Sequence, residues 1–215
     1  MVRKSEQERR EELIAATIRE VAAVGSLNVT TSQIAKSAGV SAGLAFHYFK
    51  DKDSLFLAAM RDILTRYGSD VRAALGRSQG PQARLEAIVH SSFNNRNFTR
   101  EAIASWLIFY TLALKSPVAQ RLLYVYQRRL HSNLVFNLRG LIGGRSPDVA
   151  RRVAGLIDGL YLRYALDETT NAGHEAADHV LRAIAAECTE VRENDEISID
   201  EADPSPMDPF AKPQE

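Results

Sequence analysis

Residues 30–49, TTSQIAKSAGVSAGLAFHYF, decide the fold of this chain. Thr30 followed three residues later by Gln33 forms the pattern of a capping box, which predicts the start of a helix. Gly39 permits the left-handed backbone that ends such a helix, and Ser41 can cap a second one. Two short helices joined by this tight turn predict a helix-turn-helix, whose second helix can enter the major groove of DNA.

The charge of this region supports the same interpretation. Residues 21–50 contain no aspartate or glutamate, so nothing on the predicted surface repels phosphate. The alternative is an ordinary helical hairpin inside a bundle. The coincidence of a capping box, a turn glycine, a second cap and a charge bias favours DNA binding, with the second helix spanning 42–49.

A wider pattern carries a family resemblance. Residues 30–55 read TxxxIAxxAGVSxGxxxHYFxxKxxL, which resembles the DNA-binding signature of the TetR family of bacterial repressors. Later segments, ASWLIFY (104–110), RRLHSNL (128–134) and LIDGLYLRYAL (156–166), are similar to its BetI branch, associated with choline-responsive control of betaine synthesis genes. The resemblance covers roughly residues 8–188. It implies a homodimer released from a palindromic operator, double-stranded DNA, by a small-molecule effector, choline or another quaternary ammonium compound.

Composition indicates a soluble, cytoplasmic protein. Of the 215 residues, 45% are hydrophobic, which is enough for a substantial core. The single cysteine, Cys188, excludes an internal disulfide and fits a reducing cytosol. The polar start of the chain does not resemble a signal peptide, and no run of about 18 apolar residues predicts a membrane span.

The net charge of zero conceals an uneven distribution. Nine of the 27 acidic residues but only two of the 27 basic residues lie from Glu190 onward, which leaves 25 basic and 18 acidic residues before it. The folded part is therefore predicted to be basic, as counterion release on DNA requires. With four prolines and little periodicity, residues 190–215 are predicted to form a disordered acidic tail.

Helical periodicity without any strand pattern predicts an all-α protein of about nine helices. The first helix is expected at 8–24 and a fourth from about residue 51, while Ser146 should cap the eighth and the ninth should span 174–189. We predict three parts: an N-terminal three-helix helix-turn-helix DNA-binding domain (1–50), a larger helical ligand-binding and dimerisation domain (51–189), and the tail.

The family resemblance implies a set of DNA-contacting residues. They are Thr30, Thr31, Ser32, Ser41, Ala42, Gly43, Phe46, His47, Tyr48 and Lys52. The hydroxyls of the first helix and Lys52 would meet phosphates, and the second helix would face base edges. Phe46 could contact a thymine methyl or turn inward as core. The basic start, Arg3, Lys4, Arg9 and Arg10, is either a frayed terminus or an arm along the DNA.

Asp158 stands out as a carboxylate in an apolar stretch, so it needs a partner. The partner is either an arginine (Arg128, Arg129 or Arg163) or the cation of a ligand. Aromatic side chains at helical spacing are either plain core or, as the resemblance suggests, a cage for a quaternary ammonium group. The candidate ligand-binding residues are Trp106, Phe109, Tyr110, Tyr126, Asp158 and Tyr161. Tyr110 and Tyr161 stand where the branch is expected to carry tryptophan, so a different hydrophobic or cationic effector stays open.

Gly155 and Gly159 in the middle of the eighth helix would let another helix approach closely. With Leu156 and Leu160 they are the candidate dimer interface, and packing within the same chain is the alternative. The five histidines are scattered, and no nucleophile motif, phosphate loop, cofactor site or metal site is recognisable. An enzyme is therefore disfavoured, and a DNA-binding protein without an effector is the remaining alternative.

Overall fold

The computed structural model describes residues 4–164 and 172–200, with side chains up to residue 189. Its described part contains nine α-helices and no strand, as the all-α prediction requires. The helices are α1 Glu6–Val24, α2 Thr31–Ser37, α3 Ala42–Tyr48, α4 Lys52–Arg77, α5 Pro81–Ser92, α6 Arg100–Ala113, α7 Pro117–Ile142, α8 Ser146–Arg163 and α9 Ala172–Asp200.

The caps predicted for the helix-turn-helix are present. The Gln33 amide donates to the Thr30 hydroxyl at 3.1 Å, and the Thr30 amide donates to the Gln33 side chain at 2.7 Å. Gly39 has a φ of 68°, and the Leu44 amide donates to the Ser41 hydroxyl at 3.2 Å. The turn between α2 and α3 is therefore fixed by its own sequence.

Helix α1 begins at Glu6, two residues before the predicted start. A second capping box, in which Ser5 and Glu8 bond reciprocally, was not predicted from the sequence. Hydrogen bonds from Ser5 lower the pKa of the Glu8 carboxyl. Gly25, with a φ of 68°, ends the helix as predicted.

Helices α1–α3 form the head, which shares its core with the rest of the chain. Leu13, Ile34 and Ala45 are buried in one cluster that continues through α4 to Trp106 and Phe109 on α6. Since α2 and α3 have only seven residues each, most of their stability comes from this packing. A second cluster joins α5, α7, α8 and α9 through residues such as Leu138, Ile157 and Val180.

Two predicted boundaries were wrong. A 3-10 turn, Gly143–Arg145, precedes α8, so Ser146 is the first residue of the helix and not its cap. The Ser146 hydroxyl is buried and has no hydrogen-bond partner in the described part.

Helix α9 begins at Ala172 and continues to Asp200, beyond the expected end at residue 189. No proline or glycine interrupts the chain between Gly173 and Pro204, so nothing stops the helix earlier. Residues 201–215 of the predicted tail lie outside the described residues.

Candidate DNA-binding and effector sites

The outer surface of α2 and α3 holds the candidate DNA contacts. Ser32, Ser41, Gly43 and His47 are exposed, and Thr30 is exposed at the start of α2. Ala42, Thr31 and Tyr48 are half-buried, while Ala45 faces the core. Free amides at the start of a helix and small residues on its surface suit close approach to phosphates and base edges.

Phe46 points outward. Its side chain is 53% exposed, so it is not the core residue that the sequence left as one possibility. A large apolar side chain on the outer face of α3 has no packing role within the chain. It therefore remains available for an apolar contact such as a thymine methyl.

Three basic side chains near the head already have partners. Arg10 donates to the Tyr48 carbonyl at 3.2 Å and lies over the Phe49 ring at 4.7 Å, which braces α3 against α1. Lys4 pairs with Glu12, whereas Arg3 lies outside the described residues. The ammonium group of Lys52 donates to the Leu27 carbonyl at 2.6 Å and so holds the loop before α2.

Two exposed lysines of the head were not among the DNA-contacting residues predicted from the sequence. Lys36 lies in the last turn of α2 and Lys50 between α3 and α4, and both are exposed. Their position within the acid-free stretch 21–50 was the signal that could have identified them. Both can reach phosphates beside the groove that α3 would enter.

An aromatic cluster lies where α6 meets α7 and α4. The ring centroids of Trp106 and Tyr126 are 4.7 Å apart, and those of Trp106 and Tyr110 are 6.1 Å apart. Tyr67 of α4 packs against Tyr126 at 5.9 Å. Phe109, fully buried, supports Trp106 from the core side at 5.9 Å.

Asp158 of α8 is a half-buried carboxylate that faces this cluster. No arginine or lysine forms an ion pair with it in the described part of the chain, so the predicted alternative of an arginine partner is not realised there. Burial raises the pKa of the Asp158 carboxyl, and the nearby Tyr110 hydroxyl partly offsets that rise. The Tyr110 oxygen itself is buried and has no hydrogen-bond partner of good geometry among the described residues.

The negative charge of Asp158 affects the pKa of the surrounding tyrosines. Burial is the main cause that raises the pKa of Tyr67, Tyr110, Tyr126 and Tyr161, and the negative charge of Asp158 is a further cause at all four. The pKa of Tyr67 reaches about 12. The carboxylate therefore lies within electrostatic reach of one group of aromatic side chains, drawn from four helices.

Tyr161, the last of the candidate ligand-binding residues, is held by contacts of its own. Its hydroxyl donates to the Ser92 carbonyl and lies 3.3 Å from the Asn97 carbonyl. Its ring packs against Phe98 at 5.0 Å and Phe93 at 5.5 Å. Tyr161 is thus fixed in a second aromatic cluster and borders the Asp158 region without closing a cage with Trp106.

The two glycines of α8 lie on an open face. A Cβ atom built at Gly155 or Gly159 would meet nothing within 4 Å among the described residues, so packing against that part of the chain does not explain them. Leu162, 61% exposed, continues this face, and Leu156 is half-buried beside it. Leu160, in contrast, is buried in the core of its own chain and does not belong to the glycine face.

Comparisons with known proteins cover both halves of the chain. The family described as bacterial regulatory proteins, tetR family, matches residues 13–59, and the family described as BetI-type transcriptional repressor, C-terminal, matches residues 81–189. The chain is 50% identical over 159 residues to the HTH-type transcriptional regulator BetI of Brucella anthropi, which covers 74% of this chain and 82% of that protein. The BetI regulator of Agrobacterium fabrum is 48% identical over 162 residues, 74% of this chain and 77% of that protein.

Solved structures share the fold at lower identity. A putative transcriptional regulator from Pseudomonas aeruginosa PAO1 superposes with a TM-score of 0.76 at 24% identity, over 89% of this chain and 96% of that one. A putative regulator from Saccharomonospora viridis, solved in complex with choline, has a TM-score of 0.74 at 21% identity, over 84% and 97%. None of the helices described for this chain is long and apolar enough to cross a membrane. The chain belongs to the TetR family of bacterial regulators, in its BetI-type branch, and is a DNA-binding transcriptional repressor and not an enzyme.

Proposed function

We propose that this repressor is a homodimer that leaves a palindromic operator when a quaternary ammonium compound binds beside Asp158, with choline as the lead candidate. The observation that carries the proposal is the Asp158 carboxylate, which is half-buried, faces aromatic rings and has no ion pair in the described part of the chain. A buried charge without a partner is costly, so a ligand cation would relieve it.

The chemistry of the surrounding side chains favours this class of ligand. A quaternary ammonium group cannot donate hydrogen bonds and is held by the faces of aromatic rings. Trp106 and Tyr126, with centroids 4.7 Å apart, and Tyr110 offer such rings. The Tyr110 hydroxyl, which lies near Asp158 and forms no hydrogen bond of good geometry among the described residues, can bond the hydroxyl of choline. The regulator from Saccharomonospora viridis, which shares the fold at 21% identity and was solved in complex with choline, supports choline as the lead candidate.

Helix α4 links the two proposed sites. It begins at Lys52, directly after the head, and carries Tyr67, which packs on Tyr126. Two heads must be about 34–36 Å apart to enter successive major grooves. A ligand that binds a dimer with different head spacing more tightly shifts the population away from DNA. The division into a DNA-binding domain (1–50) and a ligand-binding and dimerisation domain (51–189) is part of this proposal.

The proposed DNA surface comprises the ten residues that the resemblance implies, with Lys36 and Lys50 added. Lys52 would contact phosphate only with the N–H groups left over from its bond to the Leu27 carbonyl. The proposed dimer contact is the face of Gly155, Gly159 and Leu156, without Leu160. We also propose a cytoplasmic location, which gives access to chromosomal DNA.

The test follows the emission of Trp106, the only tryptophan, during titration with choline chloride. Sodium chloride at equal concentration controls for ionic strength. We expect a saturable change with the native chain and at least tenfold weaker binding for Asp158→Asn, which corresponds to about 1.4 kcal/mol. Asp148→Asn is the matched control, because Asp148 lies on the same helix but is exposed and paired with Arg151.

A second measurement separates the effector from the DNA-binding activity. The native chain should retard DNA from upstream of its own gene, and choline should release it. Retardation that choline leaves unchanged, with no change in Trp106 emission, would refute choline and keep the repressor. A larger hydrophobic effector would then be favoured. Tyr161 packs against Phe93 and Phe98 and so does not complete an aromatic cage for a small cation.

A further inference from the structure

A cleft of about 770 Å³ lies between α4 and α7, beside the proposed choline site, with which it shares Tyr126. Its size falls within the range of small-molecule sites, about 300–1,000 Å³. Six aliphatic side chains form part of its wall, among them Leu64, Val71, Leu122 and Leu130. Tyr67 and Tyr126 also line it, so their rings border both the cleft and the region of Asp158.

The charge of the cleft has one sign. Four arginines line it, Arg61 and Arg72 from α4 and Arg128 and Arg129 from α7, and no aspartate or glutamate does. None of the four forms an ion pair with a carboxylate in the part of the chain that the structure describes. Arg128 donates only to the neutral Tyr124 hydroxyl, at 3.3 Å.

Two of the three carboxylates of α4 form ion pairs with arginines outside the cleft. Asp62 pairs with Arg66 one turn away at 2.9 Å, and Asp70 pairs with Arg96 at 3.2 Å. Among the described residues, none of these ion pairs therefore involves an arginine of the cleft. Guanidinium groups are well suited to carboxylate and phosphate groups, which they can bind through two parallel hydrogen bonds.

Gly68 keeps the cleft open. It lies in the middle of α4, where glycine costs roughly 1 kcal/mol of helix propensity relative to alanine. It lines the cleft, and a Cβ atom there would lie 3.4 Å from the guanidinium of Arg72. A larger side chain at this position would therefore enter the space between the two helices.

We propose that this cleft binds an amphipathic organic anion, with an apolar body against the aliphatic wall and a carboxylate or phosphate group among the four arginines. The opposite charge of the arginines and of Asp158 makes it a second site with a different ligand class. Because α4 forms one wall and also carries the head, an occupant would contact the helix that sets the position of the DNA-binding surface.

The experiment compares decanoate with decan-1-ol by titration calorimetry, since both have the same chain length and only one is charged. We expect the native full-length chain to bind decanoate at least fivefold more tightly than decan-1-ol. Arg61→Gln and Arg129→Gln should each weaken decanoate binding about two- to fivefold, as exposed ion pairs do, and leave decan-1-ol unchanged. Arg151→Gln on the outer face of α8 is the control that should change neither.

Gly68→Leu gives a test that does not depend on charge. It should abolish binding of both compounds while the chain stays folded, because the replacement improves helix propensity. Equal affinity for the acid and the alcohol, or arginine variants that bind decanoate like the native chain, would overturn the proposal. Choline should not displace decanoate, and this result would hold even if the choline site proved wrong.

The acidic C-terminal segment is the competing occupant. The combined variant Glu201→Gln, Asp203→Asn, Asp208→Asn and Glu215→Gln removes the four acidic side chains of residues 201–215 from the full-length chain. Decanoate binding that appears only in this variant would overturn the proposal, since the cleft would then serve the chain's own segment. Binding of equal strength in both chains supports a site for a separate ligand.

Discussion

Replacing Gly155 and Gly159 by alanine should have opposite effects on the fold and on the dimer. Both glycines lie inside α8, and a Cβ atom at either would meet nothing within 4 Å in the part of the chain that the structure describes. Each replacement should therefore stabilise the chain itself by about 0.8–1.0 kcal/mol through helix propensity. The double variant should gain nearly 2 kcal/mol, roughly the sum of the two.

The same methyl groups should weaken the proposed dimer. If α8 packs against its copy across these glycines, four added methyl groups in the dimer separate two closely packed helices. Inserting carbon atoms into a well-packed contact costs typically about 1–3 kcal/mol, so the Kd for dissociation should rise at least fivefold. The expected result is a more stable chain in a weaker dimer.

Sedimentation velocity over a range of concentrations measures the Kd, and urea unfolding below the Kd measures the stability of the separated chain. Gly76→Ala on α4 is the matched control, because Gly76 is also helical, exposed and without a neighbour at its Cβ position. It should not change dissociation. A Kd for the double variant equal to that of the native chain would refute the glycine face as the dimer contact.

Four further outcomes follow from individual residues. Thr30→Ala should lower the free energy of unfolding by about 1 kcal/mol, because it removes the hydroxyl that accepts from Gln33, whereas Thr30→Ser should retain the bond; urea titration measures both. Gly39→Ala should cost about 1–2 kcal/mol in the same assay, and Gly39→Asn less, since only the left-handed backbone opposes a side chain there. Choline affinity should fall as the pH decreases through the raised pKa of Asp158, and the fall should start above the ordinary value of 3.8. The unliganded protein should gain stability over the same pH interval, because its folded state binds the proton more tightly than its unfolded state. Asp158→Asn should remove both trends. Ser41→Arg should abolish operator retardation with no change in dimer dissociation, and unaltered DNA affinity would contradict the assignment of α3.

The sequence predicted the elements that are determined locally. The bonds of Thr30, Gln33 and Ser41 join residues three apart, and the φ of Gly39 depends on its own backbone, so the pattern of letters is sufficient. The capping box of Ser5 and Glu8 obeys the same rule and was missed because the surrounding residues are polar. Ser146 was misjudged because the preceding 3-10 turn places Arg145 in the capping position.

Side-chain partners that lie far apart in sequence could not be predicted. Tyr161 is three residues from Asp158, which places both on one side of a helix, yet its hydroxyl is held by carbonyls of Ser92 and Asn97 more than sixty residues away. Lys52 fits a phosphate-binding pattern, but its ammonium group is already bonded to Leu27, twenty-five residues earlier. Helical spacing gives the direction of a side chain and not the group that it meets.

Helix α8 carries core residues, the proposed dimer contact and the proposed effector-binding carboxylate on different sides. With 3.6 residues per turn, Val153, Ile157 and Leu160 point to one side, where they are buried, and Gly155 and Gly159 point to the opposite side. Asp158 lies between these two faces and so borders both the aromatic cluster and the proposed dimer contact. Because Asp158 and the two glycines lie on the same helix, a displacement of α8 on choline binding would also move the glycine face. We therefore expect choline to alter the dissociation of the native dimer, and to leave that of Asp158→Asn unchanged.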